Sequence, residues 1–195
     1  MKKILAFLLV LTAGTAFAQK KYENKAFGLY IEVPQTWWED NRNGIPANAQ
    51  FTELEKAKIL ADSRSVFLTL FYDRETIKDG GNYTPKMQFN VAGNYEKGYS
   101  ALLKATKANT EKLKAFQPDF KFVKEPGEIT ISGIKSVYYI ATYSMLVNGI
   151  NTIIRTHTYI VPYKNYIFHL NFTDEVGGKD RSKEFEEAIK SIKVG

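Results

Sequence analysis

The sequence predicts an α+β fold built around an antiparallel sheet. Two stretches rich in β-branched and aromatic residues, 137–147 and 150–161, flank the dipeptide Asn148-Gly149. Asparagine and glycine tolerate the positive φ angles that a tight type I′ hairpin requires, so the two stretches are expected to pair as antiparallel strands. Elsewhere, apolar residues recur at intervals of three and four, which is typical of helices that pack one side against a sheet.

The first eighteen residues have the pattern of a signal peptide. Two lysines precede an apolar run, residues 4–13, that is too short to span a bilayer, and residues 16–18 (Ala-Phe-Ala) fit a small-x-small cleavage site. This pattern predicts cleavage near Ala18, a single mature domain of residues 19–195, and a periplasmic or secreted location. The chain has no cysteine, so we expect neither disulfides nor lipid attachment at a cysteine behind the cleavage site.

Charge and composition narrow the function classes. The formal net charge is +6, and loss of the two lysines of the predicted signal peptide leaves +4. A modest charge of this kind is interpreted as one that keeps the protein soluble, and the alternative is weak attraction to anionic envelope surfaces. We expect no nucleic-acid partner for an exported protein, and the mature chain has no further apolar stretch long enough to span a membrane. Motifs for phosphate loops, dinucleotides, zinc proteases and calcium loops are absent from the sequence. We therefore expect no cofactor and no bound metal.

The first predicted strand of the mature chain covers residues 27–34, where apolar and polar residues alternate up to Pro34. Proline cannot donate a hydrogen bond to a neighbouring strand, so this strand is expected to leave its sheet there. Trp37 and Trp38 follow at once. Two indoles beside a strand end are interpreted as a plug at the edge of the core, with an aromatic platform for a ligand as the alternative.

A short helix and two further strands are predicted next. Thr52 and Glu55 have the spacing of a capping box, which predicts a helix that continues to about Ala61. Residues 65–72 are rich in β-branched and aromatic side chains and predict a buried central strand. Residues 87–92 predict another strand.

A long amphipathic helix is predicted before the hairpin. Between Lys97 and Lys124, lysines outnumber carboxylates by seven to two. This excess is interpreted as a solvated helix face, and the alternative is a docking patch for an acidic partner on Lys104, Lys107 and Lys112. The residues that define the buried face and the end of this helix are Tyr99, Leu102, Leu103, Thr106, Thr110, Leu113 and Pro118.

The C-terminal third completes the sheet and ends in a helix. Residues 120–131 are expected to be extended with a break at Pro126-Gly127, and Ser132-Gly133 is expected to form a turn. Residues 166–172 predict one more strand. The final helix has glutamates in its first turn and lysines in its last, which complements the helix dipole. Its apolar stripe consists of Phe185, Ala188, Ile189 and Ile192.

The order of these elements resembles the PsbP-like superfamily, including its bacterial DcrB-like periplasmic members. The resemblance depends on the opening strand with its proline and tryptophan (27–38), the helix and buried strand (52–72), the long helix (95–116), and the hairpin-strand-helix tail (132–195). It implies an α/β/α sandwich in which helices flank a central antiparallel sheet of about six strands. It also implies assembly, docking or stress-associated roles rather than catalysis. The superfamily shares no active site, so the resemblance implies no functional residue.

The hairpin register singles out one face of the predicted sheet. A two-residue turn pairs residues whose numbers sum to 297, which places Tyr138 opposite Tyr159, with Arg155 and His157 on the same face. The polar residues of the following strand join this face if the apolar residues of that strand join the opposite one. The resulting candidate ligand- or partner-binding residues are Tyr138, Arg155, His157, Tyr159, His169 and Asn171.

This face has three interpretations. It is a solvated or helix-covered polar surface, or a binding surface for an anionic or polar ligand with Arg155 as charge anchor and the tyrosines as contact area, or a site of catalysis or metal binding. Two histidines without a nearby carboxylate make a poor zinc site. No serine or threonine lies in a glycine-flanked nucleophile turn.

We therefore predict a non-catalytic exported protein that acts as an interaction or docking module for a cell-envelope partner. One alternative is a binder of a small polar or lipid-like ligand in a groove between sheet and helix. Another alternative is a hydrolase with an unfamiliar site near His157 and His169.

Overall fold

The computed structural model of the protein describes residues 19–63, 65–78, 82–94, 96–117 and 119–195. The predicted signal peptide and Pro118 lie outside these ranges. The signal peptide and the helix end near Pro118 therefore remain predictions.

The described residues form ten strands and four helices. The helices are α1 (Glu53–Asp62), α2 (Arg74–Lys78), α3 (Tyr99–Phe116) and α4 (Ser182–Ser191). The strands are β1 (Gln19–Asn24), β2 (Leu29–Pro34), β3 (Trp37–Asp40), β4 (Val66–Asp73), β5 (Lys86–Gly93), β6 (Lys121–Ile131), β7 (Ile134–Val147), β8 (Ile150–Tyr163), β9 (Tyr166–Glu175) and β10 (Lys193–Val194). None of the described helices combines the length and the apolar character that crossing a membrane requires.

The strands form two antiparallel sheets. The large sheet has seven strands in the order β3-β4-β5-β9-β8-β7-β6, and the small sheet has the order β1-β2-β10. Six of the predicted strands lie in the large sheet, and β3 adds a seventh, so the expected count of about six is low by one. The opening strand, β2, pairs instead with β1 and β10. Those two strands were not predicted, because β1 is mostly polar and β10 has only two residues.

The large sheet buries apolar side chains on both faces. One face, here termed the α4 face, packs against α4 and the small sheet, as Phe172 of β9 shares a cluster with Phe185 of α4 and Ile31 of β2. The other face, termed the α3 face, packs against α3, where Tyr139 of β7 shares a cluster with Leu102. We expected helices alone to cover the two faces of the sheet, but the small sheet also covers part of the α4 face.

The two neighbouring tryptophans have different environments. Trp37 is buried, and its ring meets the ring of Phe185 edge-on at 6.1 Å. Trp38 is half-exposed, and the guanidinium of Arg74 lies 3.3 Å from its ring centre. Successive residues of a strand point to opposite faces, so only Trp37 plugs the core as predicted.

The local signals for a helix start and a tight turn are confirmed. The Thr52 hydroxyl accepts a hydrogen bond from the Glu55 backbone N–H at 3.3 Å, and the Glu55 carboxylate accepts one from the Thr52 backbone N–H at 2.7 Å. This capping box satisfies two backbone donors at the start of α1. At the hairpin, Asn148 and Gly149 have φ angles of 51° and 83°, as a type I′ turn requires.

The edge strand β6 is continuous but irregular. Its pairing with β7 shifts register between Phe122 and Lys124 and again between Lys124 and Gly127. Pro126 lies in the second interval and has no N–H for the ladder. The break predicted at Pro126 is therefore an irregularity within one strand rather than an interruption between two.

Candidate functional site

The predicted register of the hairpin is confirmed. Tyr138 lies opposite Tyr159, and Arg155 and His157 follow on the same face as Tyr159. This face is the α4 face, since His157 contacts the ring of Phe185. Four of the six candidate residues therefore lie on one side of the sheet.

The other two candidates lie on the opposite side, and their predicted placement is wrong. His169 pairs with Ile160, and Asn171 pairs with Thr158, so both belong to the α3 face. The turn between β8 and β9 has only two residues, because Tyr163 already pairs with Tyr166. A change of one residue in a connection moves every side chain of the next strand to the other face.

Apolar patterning could not reveal this error, because both faces of the sheet are buried. The alternating phenylalanines of β9 pack on the α4 face, whereas we expected them beside Ile160 on the α3 face. The two histidines are consequently separated by the sheet. The pair that the hydrolase alternative requires is not assembled.

Arg155 is bound by carboxylates of its own chain. Its Nε donates to Asp174 Oδ1 at 2.9 Å and its Nη2 to Asp174 Oδ2 at 2.5 Å, and Nη2 also donates to Asp180 at 2.8 Å. The hydrogen bonds to Asp174 raise the pKa of Arg155, although partial burial opposes this effect. A guanidinium held by two carboxylates is poorly suited to anchor an anionic ligand, so the structure does not favour this role.

His157 is part of the core beneath α4. Its Nδ1 lies 3.1 Å from the Tyr138 hydroxyl, and its Nε2 is buried without a hydrogen-bond partner among the described residues. Burial lowers the pKa of His157, so the ring is neutral near pH 7. Tyr138 stacks on Tyr159 with ring centres 4.4 Å apart. These three side chains contribute packing rather than an open polar face.

A groove beside α4 exposes one edge of the tyrosine stack. Its volume is about 460 Å³, and it lies between β6, the stacked tyrosines and α4. Glu186 and Lys190 of α4 line it together with Ile129 of β6. The groove is open to solvent, so Tyr138 is the candidate residue that a bound partner would reach here.

A longer groove lies between α3 and the sheet. Two adjoining cavities of about 370 and 400 Å³ share Leu113 of α3 and Tyr139 of β7 as lining residues. His169 lines the first cavity and Asn171 the second. The structure therefore contains the groove between sheet and helix that the small-ligand alternative expects.

The lining of this α3 groove combines apolar side chains with uncharged hydroxyl, amide and imidazole groups, and Glu96 and Lys86 are its charged residues. Asn171 Oδ1 accepts a hydrogen bond from the Thr158 hydroxyl at 2.9 Å, and the Tyr83 and Thr173 hydroxyls are 2.7 Å apart. Burial lowers the pKa of His169. Its neutral ring therefore presents one hydrogen-bond donor and one hydrogen-bond acceptor. Hydroxyl, amide and imidazole groups of this kind suit a neutral polar ligand better than an ion.

The outer side of α3 carries the predicted lysine patch. Lys104, Lys107 and Lys112 are exposed, and no carboxylate of the described residues forms an ion pair with them. Lys114, on the same helix, pairs with Glu111 at 2.8 Å. Within the described ranges, no cluster of three or more histidine, aspartate or glutamate side chains could hold a metal ion.

A buried ionic network beside α4 was not predicted from the sequence. The Arg181 guanidinium donates to Asp73 of β4 and, at 2.7 Å, to Glu184 of α4. Glu184 also accepts from the Trp37 indole at 3.2 Å. Asp73 and Arg181 are 108 residues apart, so no local spacing could reveal their contact. Asp174, the partner of Arg155, shares the face of Phe172, so only the true register of β9 brings it beside Arg155.

Comparison with sequence families and with curated proteins gives no match. Solved structures do match. Cyanobacterial PsbP (CyanoP) from Synechocystis sp. PCC 6803 has a TM-score of 0.57 and 13% identity, covering 94% of this chain and 96% of that protein. The Saccharomyces cerevisiae Ran-binding protein Mog1p has a TM-score of 0.54 and 9% identity, covering 92% and 96%. LpqN of Mycobacterium tuberculosis, involved in cell envelope biogenesis, has a TM-score of 0.51 and 10% identity, covering 91% and 90%.

The chain spans 45% of the length of a further similar protein, from Bacteroides thetaiotaomicron, at a TM-score of 0.48 and 17% identity. At such identities the similarity concerns the fold alone. The similarity to CyanoP, Mog1p and LpqN covers at least nine-tenths of this chain and of each of those three proteins. The protein therefore has the PsbP-like fold that the order of its sequence elements predicts.

Proposed function

We propose that this protein is an exported, non-catalytic binding module that docks a cell-envelope partner. Two proteins of the same fold have names that agree with this class of function, since Mog1p is described as Ran-binding and LpqN as involved in cell envelope biogenesis. The signal-peptide pattern of residues 1–18 supports export to the periplasm or the medium.

The observation that carries the proposal is the unpaired cationic side of α3. The helix is fixed to the sheet by Leu102, and its outer lysines point to solvent without carboxylate partners among the described residues. Unpaired lysines that a rigid helix holds on one side can attract and orient an acidic protein surface. The binding site that we propose is therefore the set Lys104, Lys107 and Lys112.

Charge reversal of this patch tests the proposal. The variant Lys104→Glu/Lys107→Glu/Lys112→Glu should lose capture of its partner from envelope extract, while the wild-type mature domain retains it. A matched control reverses three exposed lysines outside α3, Lys21, Lys25 and Lys58, and has the same net charge. Equal capture by both variants would contradict a role for the α3 patch, provided that both have wild-type circular dichroism.

A second candidate function is the binding of a small polar or lipid-like ligand in the α3 groove. The neutral hydrogen-bonding lining around His169 and Asn171 favours it. Native mass spectrometry of the protein purified from its own envelope should then show an added mass. Thr158→Val, which removes a hydroxyl from the groove floor at nearly constant volume, should reduce the bound fraction. A wild-type protein that carries no added mass would count against this candidate.

A further inference from the structure

The far end of the β7–β8 hairpin extends beyond the rest of the large sheet. On one side, the pairing of β6 with β7 ends at Thr142. On the other side, β9 pairs with β8 only as far as Ile154, and one more backbone hydrogen bond reaches the carbonyl of Ile153. The last three residue pairs before the Asn148-Gly149 turn have no neighbouring strand. The segment 144–153, here termed the ribbon, is therefore a two-stranded projection.

The ribbon carries exposed apolar side chains on both of its faces, and Thr152 is its buried residue. Leu146 is 72% exposed, Ile150 and Ile153 are each 49% exposed, and Met145 is 38% exposed. By register, Met145 and Ile150 belong to the α3 face, and Leu146 and Ile153 belong to the α4 face. No residue from 143 to 154 carries a charge. Exposed hairpins usually carry charges that keep them soluble and unpaired, so this composition indicates contact with an apolar phase.

Cationic residues lie near the base of the ribbon on both faces of the sheet. Lys121 pairs with Thr142 in the last pair of β6 and β7, on the α4 face that Thr142 shares with Arg155. Leu113, in the last turns of α3, lines the same cavity as Met145, and Lys112 precedes Leu113 on the solvent side. Three carboxylates near this base have partners of their own. Glu111 pairs with Lys114, and Asp119 accepts from the Ser144 backbone N–H at 2.8 Å. Glu175, opposite Ile154, accepts from the Tyr83 backbone N–H at 3.2 Å.

The size of the ribbon argues for lipid rather than a protein partner. A stable protein interface buries about 800 Å² on each side and uses roughly 20–30 residues, whereas the ribbon has only the residues 144–153. A small apolar wedge with lysines behind it is sufficient for the interfacial region of an anionic bilayer. We propose that the ribbon inserts into the interfacial region of an anionic lipid bilayer, with Lys112 and Lys121 at the headgroups.

Vesicle sedimentation tests this membrane contact. The wild-type mature domain should sediment with vesicles that contain phosphatidylglycerol, sediment less with pure phosphatidylcholine vesicles, and dissociate as salt screens the headgroup charge. The variant Leu146→Glu/Ile150→Glu should lower the partition into phosphatidylglycerol vesicles at least about tenfold, because carboxylates are repelled where aliphatic groups entered. The control Leu54→Glu changes a leucine of α1 that is 81% exposed, and should bind as the wild type does.

Three results would overturn the proposal. They are a wild-type protein that does not sediment with phosphatidylglycerol vesicles, a ribbon variant that binds as tightly as Leu54→Glu, and a wild-type dimer in solution that the ribbon variant converts to monomer. The last result would assign the ribbon to a second copy of this chain. The ribbon projects from the sheet, so urea unfolding of both variants should match the wild type and exclude loss of fold as the cause.

Discussion

Replacing Arg181 by methionine should destabilise the protein strongly. Arg181 and Asp73 are almost completely buried, and the substitution leaves the Asp73 carboxylate without its cation. Breaking a buried ion pair by removing one partner costs about 3–5 kcal/mol, because a charge then remains uncompensated in a poorly polarisable interior. Asp73 retains hydrogen bonds from the Glu75 backbone N–H at 3.0 Å and the Thr76 hydroxyl at 2.7 Å. We therefore expect the lower end of this range, about 3 kcal/mol.

Urea unfolding followed by circular dichroism measures this loss. With a slope of about 2 kcal/mol per molar urea, a loss of about 3 kcal/mol lowers the midpoint by about 1.5 M. Arg42 supplies the matched control. It donates two hydrogen bonds to Asp40, at 2.9 and 2.7 Å, at the solvent-exposed surface. Arg42→Met should leave the midpoint unchanged within error, because water screens an exposed pair.

A double-mutant cycle separates the ion pair from other roles of Arg181. Asp73→Asn removes the buried charge, so Arg181→Met should cost less in the Asp73→Asn background than in the wild type. The Glu184 side chain is 17% exposed and keeps its hydrogen bond from the Trp37 indole, so the loss of Arg181 should cost less at Glu184 than at Asp73. The reasoning is refuted if Arg181→Met shifts the midpoint no further than Arg42→Met does, or if the two substitutions at 73 and 181 are strictly additive.

Three smaller perturbations test the local physics of the fold. Burial holds the pKa of His157 and His169 below the unfolded value of about 6.5, so the unfolded chain binds more protons and the urea midpoint should fall as the pH drops below about 6.5. His157→Phe should reduce this fall, and a midpoint that rises between pH 7 and pH 5 would contradict the assignment. Gly149→Ala should cost about 1 kcal/mol, since φ is 83° and no atom lies near the added methyl group. Thr52→Ala should cost about 1 kcal/mol through loss of the cap at α1, and an unchanged midpoint in either variant would contradict these local costs.

Local chemistry made much of the fold predictable. The Asn148-Gly149 turn sets the hairpin register because it demands two positive φ angles, and Thr52 sets the start of α1 because it caps a backbone donor. The second turn carries no such signal. Lys164 has a φ of 51° there, although lysine has no preference for the left-handed region. The sequence therefore did not define the length of the turn between β8 and β9 to within one residue.

The length of the β8–β9 turn, to within one residue, determines which side chains share a face in the candidate site. Because both sheet faces are buried, the alternation of Phe168, Leu170 and Phe172 shows that β9 has an apolar side without showing which side it is. His169 and Asn171 therefore lie in the α3 groove rather than beside His157, which lies beneath α4 as predicted for its face. Contacts between distant segments were beyond prediction for a different reason, since nothing in the sequence specifies which carboxylate meets Arg181.

The irregular edge strand β6 has a consequence for how this protein associates. Two register shifts, Pro126, and the exposed Lys121 and Lys124 interrupt the row of backbone donors and acceptors that an incoming strand would need. These features disfavour strand addition at this edge, which lowers the tendency of a large sheet to form fibrils at high concentration. We expect recognition on this side of the molecule to proceed through side chains, which can be altered one residue at a time without disturbing the sheet.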